Sequence, residues 1–92
     1  MDVDLGQVVY SIAGRDTGKV FIVIGKIDDK HVLVSDGDLR RIEKAKKKKT
    51  KHIKVTEKVI LPLKEKLKTG DRISNSEIRK ALAQLEIKEC DI

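Results

Sequence analysis

Residues 5–27 read LGQVVYSIAGRDTGKVFIVIGKI, so that two segments rich in β-forming residues flank a turn with a glycine at each end. The segments 5–12 and 19–27 are dominated by Val, Ile and aromatic side chains, which pack well on a pleated sheet. Glycine readily adopts the positive φ angles of tight turns. Gly14 and Gly18 therefore predict a sharp reversal between two antiparallel strands.

Three further short strands are predicted downstream. The segment 31–35, HVLVS, lies between the turns DDK and DGD, and weaker strand patterns occupy 39–44 and 51–55. Five short strands joined by short turns within about 55 residues favour a mainly β fold, a small and strongly bent five-stranded antiparallel barrel.

The second part of the chain has a helical composition. We therefore divide the sequence into a barrel over residues 1–56 and a helical C-terminal extension over residues 57–92. Pro62 suits the first turn of a helix over 62–69, and Gly70 is typical of the residue that ends one.

A second helix is predicted to begin at a capping box, with Ser74 as the N-cap and Glu77 as the third helical residue. Apolar side chains follow at helical spacing at Ile78, Leu82 and Leu85, which gives the helix one apolar face over about 10–12 residues. A helix of that length is unstable alone in water, so we expect it to pack on the barrel.

The positive charge is concentrated in one stretch. The chain has 21 Lys and Arg against 15 Asp and Glu, a formal net charge of +6. Residues 40–54, RRIEKAKKKKTKHIK, hold nine of the cations and one acid and are predicted to form a basic loop. Residues 1–39 hold seven acids and four cations. This segment 40–54, the basic block, therefore carries nearly all of the excess charge.

Three interpretations of the basic block differ in what it contacts. Clustered cations repel one another, and a nucleic acid relieves this repulsion while releasing counterions from its phosphates. Alternatively, the block is a solvated loop that only keeps the protein soluble. A membrane-bound amphipathic helix is disfavoured, because Ile42, Ala45 and Ile53 are too few apolar residues for a lipid-facing stripe.

Residues suited to catalysis or metal binding are sparse. The single cysteine, Cys90, excludes an intrachain disulfide framework, and with His31 and His52 it cannot complete a zinc site without carboxylates or a second chain. We expect no enzymatic activity, no cofactor or metal, and no small-molecule substrate. No apolar run approaches the length of a membrane span and no signal peptide is visible, so we expect a cytoplasmic protein without a membrane partner.

The glycine turn and its flanking strands resemble the KOW motif of ribosomal and transcription-factor proteins. The residues that carry the resemblance are Gly6, Val8, Val9, Gly14, Arg15, Gly18, Lys19 and Val20. The run 32–42, the lysines after it and the segment 73–82 also resemble small bacterial KOW-domain RNA-binding proteins. That group is similar to a large-subunit ribosomal protein family of archaeal and eukaryotic type. The resemblance covers residues 4–55 and, more loosely, 70–85.

The resemblance implies an SH3-like barrel and a non-enzymatic role in binding RNA, with structured ribosomal RNA in a ribonucleoprotein of the translation machinery as the expected partner. Only 2% of the residues are aromatic, which favours contacts with phosphates over stacking on bases. The alternative is a KOW-type docking adaptor that contacts ribosomal or transcription proteins. Gly14 and Gly18 are predicted to form a turn that another backbone approaches closely. The predicted RNA-binding residues are Arg15, Lys19, Arg40, Arg41, Lys44, Lys46, Lys47, Lys48, Lys49, Lys51, His52 and Lys54.

Overall fold

Five strands and two helices make up the computed structural model, which describes residues 3–90, with side chains as far as Leu85 in the last helix. The strands are β1 (Gln7–Ser11), β2 (Val20–Lys26), β3 (His31–Ser35), β4 (Lys46–Lys49) and β5 (Ile53–Val59). The helices are α1 (Leu61–Thr69) and α2 (Asn75–Cys90). Two short 3-10 helices flank β4, at Ile42–Lys44 and Thr50–His52.

The strands form one open antiparallel sheet in the order β4-β3-β2-β1-β5. Within residues 3–90, β4 and β5 are the two edges and no ladder joins them, so the expectation of a closed barrel is wrong. The expectation of a mainly β protein is also wrong, because two helices complete a mixed α/β fold. Sequence spacing predicts strands and turns, but it does not show whether the first and last strands of a sheet pair.

The open sheet is nevertheless rolled, because the connection between its edges is short. In a flat sheet, the edges of five strands lie about 19 Å apart, four spacings of about 4.8 Å. Only Thr50–His52 joins β4 to β5, and a 3-10 helix advances about 2 Å per residue. The two edge strands must therefore approach each other.

Both faces of the sheet are buried, as three consecutive residues of β2 show. Phe21, Ile22 and Val23 are all 0% exposed, although neighbouring residues of a strand point to opposite faces. The inner face of the roll holds one core cluster, formed by Val3, Val9, Phe21, Val23, Val32, Val34 and Ile53. The outer face holds a second cluster, formed by Val8, Ile22, Leu63, Ile78 and Leu82. The helices therefore cover the outer face.

Both helices begin within one residue of the predicted position, and α1 also ends where the sequence predicts. Pro62 lies in the first turn of α1, and Gly70 ends that helix with a φ of +80°. The capping box of α2 is confirmed, because the Glu77 amide donates to Ser74 Oγ (3.1 Å) and the Ser74 amide donates to Glu77 Oε2 (3.0 Å). Helix α2 is longer than expected, at 16 residues, and it packs on the sheet as predicted. No helix in the described part of the chain is both long and apolar enough to cross a bilayer.

The basic block differs most from its prediction. The strand expected over 39–44 is a turn followed by the 3-10 helix, and the lysine run, expected to lie in a loop, forms β4. The strand expected over 51–55 begins at Ile53 and extends to Val59. Strand β4 is an edge strand, where the long charged side chains of Lys46, Lys47 and Lys49 reach solvent, whereas Lys48 is buried.

Candidate nucleic-acid interface

One buried carboxylate, Asp16, joins the glycine turn (residues 14–19) to the basic block. Its Oδ2 lies 3.4 Å from Arg40 Nη2 and 3.4 Å from Lys46 Nζ, and its Oδ1 lies 3.9 Å from Lys19 Nζ. Lys19 precedes β2, Arg40 follows β3 and Lys46 begins β4. Three predicted RNA-binding residues that are distant in the sequence therefore meet at one acid, and we call these four residues the Asp16 cluster.

The charge of Asp16 is stabilised by its neighbours. Burial by itself raises the pKa of this carboxyl, but the positive charges of Arg40, Lys46 and Lys19 outweigh that effect and hold the pKa below its ordinary value of 3.8. The carboxylate is thus ionised at neutral pH, and three cations with one anion leave the Asp16 cluster a charge of +2. Sequence analysis missed Asp16, although an acid between the basic Arg15 and Lys19 was a usable signal.

Asp16→Asn is expected to lower the free energy of unfolding at pH 7 by about 2 kcal/mol. Breaking a buried ion pair costs about 3–5 kcal/mol, but the three cations here are partly exposed and would regain water. The pKa of Asp16 is lower in the folded protein than in the unfolded chain, so its carboxylate stabilises the fold fully above the ordinary pKa. This stabilisation is lost as the pH falls through the pKa of the folded state.

Urea unfolding of both proteins at about pH 7 and about pH 2.5 tests this charge effect. The stability gap between wild type and Asp16→Asn should be present at the higher pH and nearly absent at the lower one. The control is Asp29→Asn at an exposed position, with an expected change under about 0.5 kcal/mol. A gap of equal size at both pH values would contradict the electrostatic explanation.

Lys48 differs from the other lysines of the basic block because it is buried, at 7% exposure. It is paired with Val32 of β3 and so lies on the inner face of the roll. Its Nζ donates to Ser11 Oγ and to the carbonyl oxygen of Ala13, both at 3.0 Å. The side chain thus reaches from edge strand β4 to β1 and helps to hold the sheet rolled, a position that does not suit the phosphate contact predicted for it.

The remaining cations of the basic block lie mostly at the surface. Strand geometry turns Lys47 and Lys49 away from the inner face, and both are exposed. Lys54 is paired with Tyr10 of β1, on the outer face of β5. His52 is half-buried, and its carbonyl oxygen accepts a hydrogen bond from the Ile12 amide (2.9 Å). The predicted RNA-binding residues that are exposed are Arg15, Lys19, Arg41, Lys44, Lys47, Lys49, Lys51 and Lys54.

The glycine turn is a fixed part of the structure. The Ser11 amide donates to the Lys19 carbonyl (2.9 Å), and the Gly18 amide donates to the Ser11 carbonyl (2.8 Å). Gly14 and Gly18 have φ angles of +78° and +88°, so the conformation itself requires glycine. A Cβ at Gly18 would meet no protein atom within 4 Å, and one at Gly14 would meet only Lys48 Nζ at 3.8 Å. Within residues 3–90, no other backbone therefore makes the predicted close approach, and both glycines of the turn are exposed.

Four contacts gather these segments at one end of the sheet. Arg40 and Lys46 meet Asp16, Lys48 reaches Ala13, and Ile12 pairs with His52 across the backbone. The glycine turn and part of the basic block therefore form one cationic end, whereas Lys49 and Lys51 lie toward the other end of β4.

Neither a metal site nor a known relative identifies this end of the molecule. Among the described residues, no three His, Cys, Asp or Glu side chains lie close enough together to hold a metal ion. No protein-family model matches the chain, and no curated protein matches it. The KOW resemblance therefore rests on the residues quoted above.

Proposed function

We propose that the protein is a non-enzymatic RNA-binding protein of the KOW class. Its rolled sheet is an SH3-like domain in which the edge strands β4 and β5 do not pair. It binds structured RNA, with ribosomal RNA as the expected target, in the cytoplasm. The observation that carries the proposal is the meeting of the glycine turn and the basic block at one end of the sheet. A polyanion that lies across this end would contact cations from both segments.

The chemistry of the surface favours contacts with phosphates over reading of bases. Lysine supplies most of the exposed charge, and its ammonium group binds phosphate as a point charge without regard to sequence. The two aromatic residues are poorly placed for stacking, because Phe21 is 0% exposed in the core and Tyr10 is half-buried between the sheet and α2. Recognition would then depend on RNA shape and backbone position.

A rival explanation of the lysines follows from their place in the fold. Lysine on an edge strand blocks pairing between the edges of two molecules, and β4 is such a strand. On that account, the lysines prevent aggregation and need no ligand. The Asp16 cluster favours the RNA proposal, because protection of an edge does not require cations from the glycine turn to be gathered beside it.

Salt dependence of RNA binding is the direct test. The eight exposed cations are expected to give a slope of log K against log salt of about −5 to −7 if nearly all of them meet phosphates. The purified protein would be titrated with labelled large-subunit ribosomal RNA between about 50 and 200 mM salt, with transfer RNA as competitor. A flat dependence would contradict the mechanism, and binding only after a ribosomal protein is added would favour the adaptor alternative.

A further inference from the structure

A second group of cations lies at the opposite end of β4 from the Asp16 cluster. The turn between β2 and β3 and the 3-10 helix between β4 and β5 enclose a cleft of about 410 Å³. This lysine cleft is lined by Lys30, His31, Lys49, Thr50 and Lys51. Lys30 and His31 lie outside the basic block and were not predicted as ligands.

The backbone fixes the two walls of the lysine cleft. The Thr50 amide donates to the Lys30 carbonyl at 2.8 Å, and His31 is directly paired with Lys49 in the β3–β4 ladder. Thr50 and His31 are half-buried, whereas the three lysines are exposed. The cleft is therefore a preformed feature of the fold with flexible cations at its mouth.

The lysines of the cleft are not held in ion pairs. Within the described residues, Lys30, Lys49 and Lys51 form no ion pair, in contrast to Lys46 at the other end of β4. Two acids, Asp28 and Asp29, precede Lys30 in the turn. The Asp28 carboxylate accepts hydrogen bonds from the Lys30 amide (2.8 Å) and from His31 Nδ1 (2.9 Å). Asp28 is thus engaged by the backbone and the imidazole, and a ligand in the cleft would meet His31 at Nε2.

We propose that the lysine cleft is a second phosphate-binding site, which takes a phosphodiester of the RNA backbone. Three ammonium groups around a small cleft repel one another, and one phosphate would relieve that repulsion. The Thr50 hydroxyl supplies a neutral donor for a phosphate oxygen, and His31 Nε2 supplies a donor in the imidazolium form, because Nδ1 already donates to Asp28. Among the described residues, no Phe, Tyr or Trp side chain lines the cleft, and the His31 ring is held by Asp28, so the ligand is the phosphate and not a nucleobase.

The lysine cleft and the Asp16 cluster share the edge strand β4. Lys46 in the Asp16 cluster and Lys49 in the cleft are three residues apart on β4, which is about 10 Å along a strand. One RNA backbone that runs along the edge strand would therefore contact both sites. The identity of the ligand as RNA rests on the proposed function, whereas the affinity for phosphate does not.

The test compares two double variants that remove the same charge. Lys30→Gln with Lys51→Gln alters the cleft, and Lys68→Gln with Lys80→Gln alters exposed lysines on α1 and α2. Loss of two lysine contacts to that phosphate is expected to weaken binding to large-subunit ribosomal RNA more than about 10-fold at 0.1 M salt and to make the slope less negative by about 1. The control variant should bind within about 3-fold of wild type.

The outcomes separate this proposal from the proposed function. Equal weakening in both double variants, or none in the cleft variant while wild type binds RNA, would overturn the cleft alone. Absence of RNA binding by wild type would overturn the proposed function, and titration with inorganic phosphate followed by amide NMR would then decide about the cleft. Saturating shifts at Lys49 and Thr50 that vanish in the cleft variant support a phosphate site, and their absence overturns it.

Discussion

Gly37→Ala is expected to lower the free energy of unfolding by about 3 kcal/mol, a large part of the stability of a small domain. Gly37 lies in the turn after β3, is buried, and has a φ of +74°. Alanine at a positive φ is strained by about 1 kcal/mol. The added methyl group would also overlap the carbonyl oxygen of Asn75 and lie 3.1 Å from Arg79 Cγ. Overpacking of this kind costs a further 1–3 kcal/mol or so.

The overlap matters because the first turn of α2 docks on this segment through specific hydrogen bonds. Arg79 Nη1 donates to the Gly37 carbonyl (2.6 Å), and Asn75 Oδ1 accepts from the Ile42 amide (2.8 Å). A methyl group at Gly37 would push the helix away and break both bonds. Loss of docking would also uncover Ile78, which is 0% exposed on the outer face.

Gly70→Ala is the matched control for this prediction. Gly70 has a φ of +80°, but a Cβ there would meet nothing within 4 Å. Only the conformational strain of about 1 kcal/mol is then expected. Urea unfolding of the two variants and wild type gives the comparison. Equal losses of unfolding free energy in the two variants would show that only the conformational strain acts at Gly37. Helix α2 would then shift to accommodate the methyl group with no further loss of stability.

The sequence predicts those parts of the fold that depend on local chemistry. The glycine turn, the first three strands, the end of α1 at Gly70 and the capping box of α2 all follow from residues close to one another in the chain. Whether β4 and β5 pair depends on how far the sheet rolls, and no local sequence pattern encodes that curvature. The strand in the lysine run was missed for a related reason, because its pairing with β3 outweighs the low β propensity of lysine.

The candidate interface, like the fold, is predictable from the sequence only where local features decide it. Charge counting along the chain locates the basic block, but it cannot tell Lys48 from its neighbours. Strand alternation turns Lys48 to the inner face, where Ser11 and Ala13 accept its hydrogen bonds. The role of Asp16 depends on contacts with Arg40 and Lys46, which are 24 and 30 positions away in the sequence. Such contacts become predictable only once the topology is known.

Removal of four exposed cations from the basic block is expected to weaken binding to large-subunit ribosomal RNA more than about 100-fold near 0.1 M salt. The variant carries Arg41→Gln, Lys44→Gln, Lys47→Gln and Lys54→Gln, which are exposed and lie outside the Asp16 cluster and the lysine cleft. Each lost phosphate contact makes the slope of log K against log salt less negative by about 0.7–0.9, or about 3 in all. Lys46 and Lys48 are kept because they hold the fold together.

A second quadruple variant has the same net charge and separates local contact from general attraction. Lys58→Gln, Lys68→Gln, Arg72→Gln and Lys80→Gln remove four exposed cations beyond the basic block, and RNA affinity should stay within about 5-fold of wild type. Equal losses of RNA affinity in the two variants would mean that RNA binding depends only on the total charge.

If the basic-block variant kept its affinity but self-associated in sedimentation, the lysines of β4 would protect a sheet edge, and the proposed RNA interface would be wrong. Because Lys47 is the only lysine of β4 changed, restoring it alone would rescue solubility in that case and would recover only about one phosphate contact if the RNA proposal is correct.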